Sequence, residues 1–204
     1  MLAIITGDII NSENYKASEW IGMLKAYFNT LGNTPDTWEI YRGDEFQLKV
    51  DYEDALRVAI HVKALIKTIK GLDVRMGIGL GDETFRGLGV SESNGPAYHR
   101  SGRTFESLKE DKLNLTMATG SGFYDDTINL MLKLALDFMD DWSTVSAEIV
   151  VLALDNPDAS QAVLAEKLGI RQSAVSQRLS RARLDLVLEL LKYYEKILTE
   201  LRYY

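Results

Sequence analysis

The chain has 204 residues, a net charge of −7 and 46% hydrophobic residues, enough for one sizeable core or for a core with a small second domain. It contains no cysteine, which excludes a disulfide framework and a thiolate zinc site. The opening MLAIITGDII has no basic segment and meets Asp8 early, and no apolar run reaches the roughly 18 residues that span a bilayer; the expectation is a soluble, cytoplasmic protein with no membrane partner. Charge is uneven: residues 159–204 hold 8 Lys and Arg against 5 Asp and Glu, a net of +3, and the remaining 158 residues hold 15 against 25, a net of −10. Such asymmetry points to different partners for the two ends.

In chain order, LAIITGD is a β-branched run ending in Gly-Asp, a buried strand that delivers a carboxylate at its C-terminal end. Residues 16–31 carry Trp20, Leu24, Tyr27, Phe28 and Leu31 at helical spacing and stop near Gly32. TWEIYR and FQLKV alternate as a hairpin around Gly43-Asp44. Residues 53–69 read as a helix with Leu56, Ala59, Ile60, Leu65 and Ile69 inward and Lys63 on the flank; His61 lies within it without a partner at metal spacing. DVRMGIGLG is a fourth strand, 98–110 a third helix and KLNLTMAT a fifth strand. Gly77, Gly79 and Gly81 reflect strand packing and a turn, because no helix follows at the position a dinucleotide fingerprint requires.

This order predicts an α/β (α+β) fold whose first unit, residues 1–120, is a ferredoxin-like sheet with one added βα unit. The right-handed crossover rule then puts the first and third strands side by side. The end of the first strand and the hairpin tip would share one end of the sheet, so that Asp8 faces Asp44. Two carboxylates brought together must share a proton or a cation, and a hard cation with phosphate ligands is the simplest solution. Each Gly-Asp taken singly is better explained by turn chemistry, and only the two together favour a metal or phosphate ligand.

The stretches ITGDIINS, YRGDEFQL, VRMGIGLG and GPAYHRSGR together resemble, in order and spacing, the catalytic domain of class III nucleotidyl cyclases. That resemblance implies Asp8 and Asp44 as ligands of Mg²⁺ or Mn²⁺, and Arg103, eight residues after Gly95, as a catalytic group on the phosphate of a nucleotide. His99 stands where the family has an Asn, and Ile40 falls where it has a base-reading Lys; Glu92 is the candidate second base-reading carboxylate. Ser12, Arg42 and Gly95 are the ligand-binding positions it implies. Across nearly the whole chain the pattern is similar to the SatD family of bacterial proteins, which joins such a domain to a C-terminal DNA-binding segment.

From about residue 121 the chain reads as all helix: 123–140, 143–154, 160–168, 172–183 and a continuation to about 202. QAVLAEKLGIRQSAVSQRLSRAR is the most specific stretch. Leu164 and Leu168 lie four apart, Ala165 is small where helices cross, Gly169 permits a left-handed turn, and Ile170, Val175 and Leu179 close a small core. This resembles a bacterial helix-turn-helix over 160–183 within a helical domain of residues 121–204. Gln172, Ser173, Ser176 and Gln177 are the candidates for base edges of double-stranded DNA, and Arg171, Arg178 and Arg181 for its phosphates; the competing reading is a three-helix packing module. Leu184, Val187, Leu191, Tyr194, Leu198 and Leu201 form a stripe of period 3.5, which fits either a homodimer seam or packing onto the chain's own helix 123–140.

Three functions stand side by side: a DNA-binding transcriptional regulator with a nucleotide- or phosphate-binding sheet domain, a metal-dependent nucleotidyl cyclase with a helix-turn-helix appended, and a regulator whose first domain is only a dimerisation scaffold.

Overall fold

The structure is a computed structural model and describes residues 1–201. The expected end of the last helix at about 202 lies outside the described residues. Five strands, β1 (Leu2–Ile10), β2 (Trp38–Tyr41), β3 (Glu45–Val50), β4 (Asp73–Gly81) and β5 (Leu115–Ala118), form one sheet in the order β2-β3-β1-β4-β5. β1 is antiparallel to both β3 and β4, and β5 runs parallel to β4. The expected adjacency of the first and third strands is therefore present, with the hairpin on one side of β1.

The helices are α1 (Ala17–Leu31), α2 (Ala55–Lys67), α3 (Pro96–Asp111), α4 (Gly122–Met139), α5 (Thr144–Asp155), α6 (Gln161–Leu168), α7 (Gln172–Ala182) and α8 (Leu184–Leu201). Alternation along β1 divides the sheet faces. Ala3, Ile5 and Ile9 join Phe46, Leu48, Val74, Met76 and Ile78 in the main apolar cluster with α1 and α2, while Ile4 packs on the other face with Val90, Ala97 and Tyr98.

α3 lies on that second face, directly against β4. The glycines of β4 make this possible: a Cβ on Gly77 would stand 2.5 Å from Phe105 N, one on Gly81 2.8 Å from Ala97 N, and one on Gly79 closer still to Ala97 O and Ser101 N. Those contacts are backbone and cannot turn aside, so the stripe is a packing requirement, as its sequence suggests.

α2 is the middle layer of the molecule, between the sheet and α5. This overturns the placement of Lys63 on a flank. Its side chain is 0% exposed and forms ion pairs with Asp73 at 2.7 Å and Asp140 at 2.6 Å. Lys67 joins them, 3.1 Å from Asp73 and donating to the Asp140 carbonyl, and Asn114 donates to the other oxygen of Asp140. His61 is buried, stacks on Tyr27 at 3.9 Å between centroids and places Nε2 2.7 Å from Asp155. Burial, and then the charge of Asp155, push the Tyr27 hydroxyl well above its ordinary range.

The apolar cluster runs unbroken from the sheet through α2 into α4, α5, α7 and α8. Of the period-3.5 stripe, Leu184, Val187, Leu191, Tyr194 and Leu198 are buried in it, and the Tyr194 hydroxyl donates to the Tyr52 carbonyl. The stripe is spent on the chain's own core, which removes it as a homodimer seam. Nor does α7 continue into α8: Arg183, at φ 51°, closes one helix and starts the next.

Candidate functional site

One row of side chains crosses the second sheet face near the end of β1. Pairing registers place Tyr41 opposite Glu45, Glu45 opposite Asp8, and Asp8 opposite Arg75. The next row holds Glu39, Gln47, Thr6 and Gly77. Thr6 and Ser101 of α3 have their hydroxyls 2.7 Å apart, and Ser101 donates to the Gly77 carbonyl.

The hairpin tip reaches the same end of the sheet. Arg42 at φ 52° and Gly43 at φ 88° turn the chain through the left-handed region, and a Cβ on Gly43 would meet nothing within 4 Å, so the dihedral alone favours glycine there. The Ile9 amide then donates to the Asp44 carbonyl at 3.2 Å. The Asp44 carboxylate accepts from the Ser12 hydroxyl at 2.7 Å. Arg42 is exposed and pairs loosely with Glu45 at 3.8 Å. Ser12, Arg42 and Asp44 thus stand at the same end of the sheet as Asp8, but the residue directly opposite Asp8 is Glu45 and not, as expected, Asp44.

Asp8 is not a free ligand. Arg75 Nε donates to its Oδ1 at 2.9 Å and Nη2 to its Oδ2, a bidentate charge-assisted pair. The residues present do not fit a divalent cation. At an effective dielectric constant of 20, two unit charges 4 Å apart interact by about 4 kcal/mol; a divalent ion would gain about twice that from Asp8 and lose a similar amount to the adjacent guanidinium. Counting Asp8, Glu45 and Asp44 against Arg42 and Arg75 leaves one net negative charge. Among the described residues no group of three His, Asp or Glu side chains is arranged to hold a metal.

Of the other residues implied by the resemblance, Gly95 and Glu92 lie elsewhere. Gly81 pairs with Leu2 at the far end of β1, and α3 begins there, so Gly95 is about 20 Å from Asp8 along the strand. At φ 150° Gly95 serves the loop, since a Cβ would meet Thr84 N at 2.7 Å. Ala97, Ser101 and Leu108 are the buried side of α3, and His99 and Arg103 are exposed, one turn apart. Glu92 is exposed and accepts from the Leu88 amide.

Two features of this face escaped the sequence reading. Arg75 carries a signal: it is a charged residue in an apolar strand, in phase with the glycines. Glu83 carries none. It accepts from Tyr98 at 2.6 Å and pairs with Lys49 at 3.2 Å. Burial pushes Glu83 upward, but the hydrogen bonds from Tyr98 and Lys49 outweigh it and hold the carboxyl below its ordinary range.

The helix-turn-helix stretch forms two helices at a tight turn. Ser160 caps α6 by accepting from the Val163 amide, and Gly169 ends it at φ 63°. Leu164, Ala165 and Val175 are buried, and α7 packs against both α5 and α6. Arg171, Gln172, Ser173, Ser176, Gln177 and Arg181 are exposed on one side of α7. Arg178 differs: it is half-buried, 3.8 Å from Glu148 of α5, so its charge is directed first to a neighbouring helix.

No family model matches the chain, and neither a curated protein nor a solved structure matches it. No helix among the described residues is long and apolar enough to cross a membrane.

Proposed function

We propose that this protein is a DNA-binding transcriptional regulator, with α7 as the helix that enters the major groove. The observation that carries the reading is the exposed face of α7: Gln172, Ser173, Ser176 and Gln177 stand free, flanked by Arg171 and Arg181, on a helix fixed from behind by α5 and α6. Short amides and hydroxyls on such a helix can bond base edges, and the flanking guanidinium groups can hold phosphates. The partner is double-stranded DNA. A single unit of this size reads a short half-site, so the proposal includes a homodimer, built on a surface other than the buried stripe of α8.

The strand order β2-β3-β1-β4 with β5 added supports reading the sheet unit as ferredoxin-like and of nucleotidyl-cyclase type, and the chain as SatD-like. Its ligand in this reading is a nucleotide or another phosphate, met at the end of β1 by the exposed guanidinium of Arg42. The second reading, a metal-dependent cyclase, draws on the proximity of Asp8 and Asp44. The distance of Gly95 from Asp8 and the engagement of Asp8 by Arg75 weigh against it.

The test is equilibrium binding of a labelled duplex across a salt series. Wild-type affinity should fall linearly on a logarithmic salt axis, and Arg181→Ala should reduce the slope by about 1. Identical slopes would remove α7 from the interface.

A further inference from the structure

The metal-dependent family that the sheet unit resembles would have a divalent cation between Asp8 and Asp44, and the residues present disagree with that. We propose that Arg75 is the resident cation of this site, its guanidinium holding both oxygens of Asp8, so that the end of β1 works without Mg²⁺ or Mn²⁺.

The register makes the pairing a property of the sheet and not of a wandering side chain. Arg75 stands directly opposite Asp8 on β4, and β4 is fixed on both sides, by β1 and by β5. Two residues earlier, Asp73 anchors the same strand to Lys63 and Lys67. The fork of Nε and Nη2 occupies Oδ1 and Oδ2 together, the geometry that a carboxylate accepts best from arginine.

Arg75 also answers a problem that the row creates. Glu45 lies opposite Asp8 on the other flank, and like charges directly opposite on neighbouring strands are destabilising. A guanidinium next to that pair compensates it in every state of the protein, because arginine does not lose its proton in proteins. A metal could do so only when bound. Of the two carboxylates left outside the pairing, Asp44 is held by the Ser12 hydroxyl and Glu45 is met loosely by Arg42 at 3.8 Å, so the site that remains carries one net negative charge. Such a site excludes a divalent ion on grounds of charge whether or not α7 binds DNA.

The experiment is titration of the full chain with Mn²⁺ alone, following free Mn²⁺ by electron paramagnetic resonance. The wild type is expected to show no saturable binding below millimolar concentration. Arg75→Met should bind Mn²⁺ at least about tenfold more tightly, and the added Asp8→Asn change should abolish the gain while returning the row to its wild-type charge. Saturable wild-type binding that Asp8→Asn removes would overturn the proposal, as would an Arg75→Met variant that binds no better than wild type. Should Arg75→Met fail to fold, the wild-type thermal midpoint decides. It should not move with Mn²⁺, and a rise that is lost in Asp8→Asn would overturn the proposal.

Discussion

Lys63→Met removes a buried ammonium with little change in volume. Lys63 is wholly enclosed and joins Asp73 of β4 to Asp140 at the end of α4. Breaking a buried pair by removing one partner costs about 3–5 kcal/mol, because a charge is left uncompensated. Here the bereaved groups keep some company. Asp73 retains Lys67 and the Val74 amide, and Asp140 retains Asn114 and is 37% exposed on its side chain. The lower end, about 3 kcal/mol, is therefore expected. For a chain of this length each kcal/mol moves the thermal midpoint by about 2–4 °C, so the midpoint should fall by about 6–12 °C. Urea unfolding followed by the fluorescence of the buried Trp20, Trp38 and Trp142 gives the free energy directly. Asp140→Asn, which leaves Lys63 its bond to Asp73, should cost less. A Lys63→Met protein within 1 kcal/mol of wild type, on the same scale of about 3–5, would refute the claim that this network holds the sheet to the helices.

Gly79→Ala should destabilise by about 3 kcal/mol or more by urea unfolding, since the new methyl group meets the backbone of α3. Gly22→Ala, in an exposed turn of α1 with nothing within 4 Å of the added carbon, should instead stabilise by about 0.4–1 kcal/mol. Glu83 has a folded-state pKa below its unfolded value, so its contribution is complete above the ordinary carboxylate range and is lost as pH falls through the lower folded pKa. Stability measured against pH should decline less on acidification in Glu83→Gln than in wild type. Phosphate contacts by Arg171 predict that Arg171→Ala weakens binding to all duplex sequences alike, read by competition with unrelated DNA.

Strand order was legible because β1 is a β-branched run, β4 and the hairpin alternate, turns separate them, and the glycines of β4 announced a close neighbour. The Asp8–Arg75 pair was not, because it depends on the register between β1 and β4, which no turn fixes. Lys63 misled for a related reason. Helical periodicity shows one buried face, whereas α2 is covered on one side by the sheet and on the other by α5, so a charged residue on its flank is enclosed. The stripe of α8 fits a seam as well as a core, and sequence spacing is blind to which surface it meets. The break at Arg183 has neither Gly nor Pro to mark it. At the candidate site, Asp8 and Asp44 share one end of the sheet as expected, but Glu45 takes the position facing Asp8, and Gly95 and His99 share only sequence order with them.

The most direct test of the account is selection of duplexes from a random library by the full chain. The wild type should enrich two related half-sites about one helical turn, 34 Å, apart, and that motif should be lost when Gln172, Ser173 and Gln177 are all replaced by Ala. No enrichment by the wild type, or the same motif enriched by the triple variant, would contradict it.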